Sequence, residues 1–166
     1  MKDLLQQYAE YNLWANERIS QVINTLSSEQ HHREIVSSFP GLYKTILHVW
    51  GAENVWMQRI RKEKNITFSK DIFNASMQAL TQAWKEIDQQ WVDWMGNIDD
   101  TVLHEILTYK NLKGEISSQP IYLLLHHIFN HSTYHRGQLV IMLRQLGVET
   151  IPATDFIAWV RMKDNI

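Results

Sequence analysis

The sequence predicts an all-α protein, a four-helix bundle with a short β-hairpin-like insertion between helices three and four. Three observations predict it. Apolar residues recur every three or four positions through four long segments, the signature of helices with one buried face. One stretch, 99–118, drops that period. The chain has 166 residues, 45% of them hydrophobic, which suits a single domain spanning 1–166.

The first stripe runs Leu4, Tyr8, Tyr11, Ala15, Ile19, Val22 and Leu26, about seven turns of helix. A polar stretch follows through Ser38. A second helix is expected to start near Ser38, with Pro40 in its first turn, and to end in the region 61–65. It carries Leu42, Thr45, Val49, Ala52, Trp56 and Ile60 on one side. The third stripe is Phe73, Met77, Leu80, Trp84, Ile87, Trp91 and Trp94, closed by Gly96-Asn97. Thr101-Val102-Leu103 and Ile106-Leu107-Thr108-Tyr109 read as strand-like, residues 110–114 as a turn, and Glu115-Ile116-Ser117 as the return. Ser118 is the expected N-cap and Pro120 the first turn of a fourth helix. That helix carries Leu124, Ile128, His131, His135, Leu139 and Met142, and Gly147 closes it. Thr154-Asp155 caps a short terminal helix with Phe156, Ile157, Trp159 and Val160.

Composition narrows the function. Lys+Arg is 16 against Asp+Glu 18, a formal net charge of −2, without the clustered basic excess of a nucleic-acid binder. No apolar run approaches the roughly 20 residues of a membrane span. Residues 1–7 carry an acid and two amides where a signal peptide needs an apolar core, so a cytoplasmic location is expected. Cysteine is absent, which excludes disulfides, Cys-ligated zinc and a Cys nucleophile from within the chain.

The 8 His are therefore the principal metal-binding side chains. His131 and His135 are one turn apart on the core-facing stripe of helix four and can close on a single ion. A third ligand must come from another helix, and His48, near the middle of helix two, is the best candidate. Three nitrogen ligands leave positions open for water or substrate. A lone His on an apolar stripe is more often a satisfied core residue; the spacing of the pair is what favours metal. His127 lies eight positions before His135, about 12 Å along the axis, so it reads as a neighbour of the ligands or as structural. His31, His32, His104 and His126 read as surface or loop residues. Ser132 lacks the remainder of a catalytic triad. Glu53 reads as a solvated helix residue, with an outer-shell base as the alternative. Arg136 reads as an anion contact or an ordinary salt bridge. The Trp stripe of helix three is core, whereas Trp50 and Trp56 line a pocket or a helix interface.

The segment His127-Ile128-Phe129-Asn130-His131-Ser132-Thr133-Tyr134-His135-Arg136-Gly137-Gln138 resembles the signature of DinB-like proteins, the DinB/YfiT superfamily of bacterial metalloenzymes. His48-Val49-Trp50-Gly51-Ala52-Glu53, Leu13-Trp14-Ala15-Asn16 and Pro152-Ala153-Thr154-Asp155-Phe156 resemble other recurring pieces of that family. The resemblance implies a four-helix bundle, a probable homodimer and a divalent ion, zinc or nickel, held by His48, His131 and His135. It also implies chemistry on a small-molecule substrate. S-transfer with a low-molecular-weight thiol cosubstrate such as bacillithiol, mycothiol or glutathione comes first. A hydrolase that activates water on the ion is the alternative, and a non-catalytic metal-binding stress protein is another. No nucleic-acid or membrane partner is expected. Ligand imidazoles must be neutral, and an unperturbed His titrates near pH 6.5, so ion binding is expected to fall steeply below about pH 6.

Overall fold

The computed structural model describes residues 1–68, 75–111 and 113–164. In chain order the elements are α1 (Lys2–Ile23), α2 (Ser28–His32), α3 (Leu42–Ile60), α4 (Met77–Asn97), a 3-10 turn (Asp100–His104), β1 (Ile106–Lys110), β2 (Ile116–Pro120), α5 (Ile121–Gln145) and α6 (Phe156–Asp164). The four long helices, α1, α3, α4 and α5, are the bundle, and the two antiparallel strands are the insertion before α5. Both α1 and α3 pack against α4 and α5, so the first two long helices of the chain stand diagonally across the bundle.

Helix α1 buries a row at the spacing of a helical stripe: Leu5, Ala9, Asn12, Asn16, Ile19 and Ile23. Two members of that row are asparagines. A stripe drawn through apolar residues alone is displaced, and Leu4, placed on it, is exposed. Tyr11 and Ala15 face sideways onto Trp159 of α6. The helix closes at Ile23, and Leu26, expected as its last stripe residue, packs against the core from the turn beyond. The polar stretch then holds a helix the sequence reading lacks. Ser27 and Gln30 form a reciprocal capping box for α2. His31 is not a surface residue: it is buried, and its ring nitrogen donates to the Ile23 carbonyl at 2.8 Å, covering the end of α1.

Helix α3 begins at Leu42 rather than near Ser38, which leaves Pro40 in the preceding loop. Gly41 sets that boundary. Its φ is +93°, and a Cβ there would stand 2.5 Å from the Arg33 carbonyl oxygen, so the loop closes this tightly only without a side chain. Ser76 caps α4 by accepting from the Ala79 amide at 3.2 Å. Phe73, placed at the start of that stripe, lies outside the described residues, as does Leu112 of the expected hairpin turn. Trp84 and Trp91 are buried as the stripe requires, while Trp94 is half-buried at its edge.

Two local expectations fail between α4 and α5. Thr101-Val102-Leu103 lies in the 3-10 turn, not in a strand. Its backbone hydrogen bonds stay local, with Val102 donating to Asp99 and Glu105 to Val102. Ser118 is not a helix cap but a member of β2, paired with Thr108 and sharing a 2.8 Å hydroxyl–hydroxyl hydrogen bond with it. The strand runs straight into α5 at Pro120. Asp155 accepts from the Ala158 amide and starts α6 as expected. Among the described residues, no helix is long and apolar enough to cross a membrane.

Trp91 is 0% exposed, and its indole N–H has no hydrogen-bond partner among the described residues. Trp91→Ala should lower the unfolding free energy by about 3–5 kcal/mol in urea titration. Trp91→Phe removes the unpaired donor along with some area and should cost clearly less.

Candidate metal centre

Helices α3 and α5 lie side by side, and one face of each presents imidazoles to the other. His48 of α3 and His131 and His135 of α5 converge. The Nε2 atoms of His48 and His131 stand 3.0 Å apart, those of His131 and His135 3.1 Å apart, and all three rings offer a nitrogen within 4.8 Å of the others. The trio chosen from spacing is thus brought together.

Protonation follows from the neighbours. His135 Nδ1 is 2.7 Å from Gln138 Oε1, which only accepts, so the His135 proton sits on Nδ1 and its Nε2 carries a lone pair toward the other rings. Gln138 in turn donates to Ser38 Oγ at 2.9 Å. Phe39 stacks on His48 with centroids 3.9 Å apart, so the loop before α3 covers the site. Burial lowers all three imidazoles, and their mutual repulsion adds to the effect for two of them. His48 falls to about 4 and His131 to about 3; His135 is also lowered, with the Gln138 hydrogen bond opposing. Neutral rings with converging lone pairs are a donor set for a borderline cation. Nitrogens bound tetrahedrally to one zinc at about 2.0–2.1 Å lie about 3.3 Å apart, close to the spacing here. The residues fit a divalent ion.

Beside His48 opens a cavity of about 900 Å3, walled by Leu47, Val55, Trp56, Phe68 and Tyr109 among others. Trp56 is a pocket residue, whereas Trp50 belongs to the buried core. His127 lines this cavity, edge-on to the Trp56 ring at 5.9 Å, and stands outside the converging trio. Burial lowers its pKa too. His32, His104 and His126 are exposed as expected.

Adjoining faces of the same helices hold a buried polar cluster that the sequence reading missed. Glu53 is not solvated but 1% exposed, and Asp88 of α4 is equally buried. Asn12 Nδ2 donates to Glu53 Oε1 at 3.1 Å and to Asp88 Oδ1 at 2.8 Å. Asn16 Nδ2 donates to Asp88 Oδ2 at 2.9 Å, and the Trp84 indole donates to Glu53 Oε2 at 3.1 Å. Among the described residues, Arg136 makes no direct salt bridge. It is buried and donates to Asn12 and Asn16 Oδ1, to the Tyr11 hydroxyl and to Thr133 Oγ1. Ser132, also buried, takes a long contact from Asn16 Nδ2 at 3.3 Å and hydrogen-bonds to Glu53. Burial raises both carboxyls, Asp88 well above its ordinary range. The Glu53 charge adds to the rise of Asp88, and their mutual hydrogen bond pushes Asp88 up and Glu53 down, so Asp88 is the carboxyl raised further. A carboxyl pair that keeps one proton balances the single guanidinium of Arg136. The available signal was Asn12 and Asn16 at helical spacing opposite Glu53 and Asp88 in apolar segments.

The family model of the DinB family matches residues 1–163. The chain belongs to the DinB family. A curated relative, Protein DinB of Bacillus subtilis strain 168, is 27% identical over 169 residues, covering 94% of this chain and 93% of its own. Among solved structures, a DinB-like protein of Bacillus subtilis superposes with a TM-score of 0.68 at 15% identity, covering 90% of this chain and 97% of its own. YfiT from Bacillus subtilis, described as a probable metal-dependent hydrolase with an unusual four-helix bundle topology, gives 0.66 at 12% identity, covering 89% and 90%. These structural likenesses show the fold.

The charge balance of the cluster is testable. Arg136→Met strands the carboxylate and should destabilise by about 3–5 kcal/mol. Asp88→Asn replaces the carboxyl raised further by a neutral amide and should cost only about 1 kcal/mol. A group raised in the folded state contributes stability at low pH that is lost as pH rises through its folded pKa. The deficit of Asp88→Asn relative to wild type should therefore shrink as chemical denaturation is repeated from pH 4 to pH 8.

Proposed function

We propose that this DinB-family chain is a metal-dependent enzyme in which His48, His131 and His135 hold one divalent cation, zinc or nickel, facing the cavity beside Trp56. The observation that carries the reading is the convergence of three neutral imidazole nitrogens, one of them on His48, which also lines a cavity of about 900 Å3. Among the described residues, no fourth His, Asp or Glu joins the trio to close the site. When bound, such an ion lowers the pKa of a thiol or water ligand and makes it nucleophilic near neutral pH.

The chain's own residues prepare that centre. Gln138 holds the His135 proton on Nδ1 and aims the lone pair inward. Phe39 shields His48 from water. The apolar cavity wall orients a small molecule and excludes solvent from the reacting end. S-transfer from a low-molecular-weight thiol is the first reaction class, and the thiol must arrive as cosubstrate because the chain has no cysteine. Hydrolysis by an activated water is the second, favoured by the likeness to YfiT. Copies of the chain are further proposed to pair as a two-fold dimer. Leu123, Tyr134 and Ile141 share one outward stripe of α5, and each is about half exposed.

Zinc and nickel titration calorimetry should give one ion per chain. Alanine at His48, His131 or His135 should abolish or strongly weaken it, and His127→Ala should do much less. Retained binding in His48→Ala with loss in His127→Ala would overturn the inter-helix site. The lowered imidazole pKa values revise the pH range read from sequence. Protons compete as the folded rings titrate, and burial lowers all three, so affinity should fall at a lower pH than an unperturbed imidazole implies and be lost toward pH 4. Screening the zinc- and nickel-loaded protein against several thiols with a model electrophile, and against ester and amide substrates, separates the two reaction classes. Sedimentation at high micromolar concentration showing only a 19.7 kDa species would refute pairing.

A further inference from the structure

The cavity beside His48 is unlike the rest of the chain in charge. The protein carries a net −2, yet among the described residues this cavity is lined by Lys44, Arg59 and Lys113 against one carboxylate, Glu115. Glu115 is already engaged, accepting from Asn111 Nδ2 at 2.7 Å. Lys44 reaches only Glu34, at 3.9 Å and with both side chains mostly exposed, which leaves its charge largely available.

Arg59 is the best-placed cation. Its guanidinium lies over the rings of Trp56 and Tyr109, 4.6 and 5.0 Å from their centroids, and its Nη2 donates to the Lys110 carbonyl at 2.8 Å. That clamp fixes the plane of the group but uses one of its five N–H donors on that carbonyl. No carboxylate pairs with it among the described residues. A second cavity, of about 630 Å3, shares Arg59, Phe68 and Tyr109 as walls, so Arg59 stands between two open spaces.

Arg59 and His48 are eleven positions apart on α3, about 16 Å along its axis, less the backward lean of the Arg59 side chain. Between them along the helix, Gly51, Ala52, Val55 and Trp56 line the cavity. We propose that this cavity takes an extended amphiphilic anion, with its carboxylate or phosphate head on Arg59, its aliphatic or aryl-alkyl body along Trp56 and Val55, and its other end toward His48. The proposal names the substrate class of the three-His site and rests on that reading.

The test uses the full chain, with and without zinc, and two probes of equal shape: 8-phenyloctanoate and 8-phenyloctanamide. Calorimetry should find the acid binding about tenfold tighter than the amide, the scale of one charge-assisted hydrogen bond. Raising the salt concentration should narrow that gap. Arg59→Met should remove the acid's advantage and leave the amide's affinity unchanged, while Arg59→Lys should keep part of it. Equal binding of acid and amide to the wild type, or no binding of either, would overturn the proposal. So would an Arg59→Met variant that weakens both probes alike while its melting temperature falls, since Arg59 would then only tie the hairpin to α3. Zinc binding is read on the same sample. Zinc bound without acid preference sinks the ligand class alone; acid preference without zinc binding sinks the metal reading and leaves the anion pocket standing.

Discussion

The buried hydrogen-bond cluster around Arg136 is the constraint on which the arrangement depends. A guanidinium inside a bundle is tolerable only when its donors are used and its charge is balanced. Here every long helix contributes: Asn12 and Asn16 from α1, Glu53 from α3, Asp88 and Trp84 from α4, Ser132 and Arg136 from α5. Rotating any one of them about its axis would strand a charge or an amide in the core. Apolar packing tolerates small rotations, whereas this set of directional bonds does not.

That orientation reaches the imidazoles through chain adjacency. His131 precedes Ser132, and His135 precedes Arg136, so fixing the cluster residues fixes the imidazoles about 100° around the same helix. Glu53, five residues after His48, does the same for α3. One face of each helix holds a neutralised set of charges and the other a set of neutral bases. Burial produces both outcomes, raising the carboxyls and lowering the imidazoles.

The legible part of the sequence was the part written in apolar period and in same-helix His spacing. The long helices α4 and α5 and the pair His131 and His135 followed from those two patterns, and His48 from its place near the middle of the second long helix. What was not legible has one physical cause. A residue's burial depends on partners from distant segments, and hydrophobicity does not record hydrogen bonds. Asn12 and Asn16 look polar and are buried because Asp88 and Arg136 receive them; Glu53 looks solvated and is buried because Trp84 and Asn12 do the same. His31 was misjudged for that reason, its partner being the carbonyl end of α1. The start of α3 was misplaced because Gly41 closes against Arg33, a contact that no periodicity encodes.

The hairpin has an evolutionary consequence. The ion-facing imidazoles sit on bundle helices that the polar cluster immobilises, whereas Tyr109, Asn111, Lys113 and Glu115 of the cavity wall come from the two strands and their connection. Leu107 anchors that insertion in the core, while the connection between its strands is a loop of the kind that accepts changes in length and composition. Mutational drift can therefore remodel what enters the cavity without disturbing the three imidazoles, while the bundle beneath stays under purifying selection.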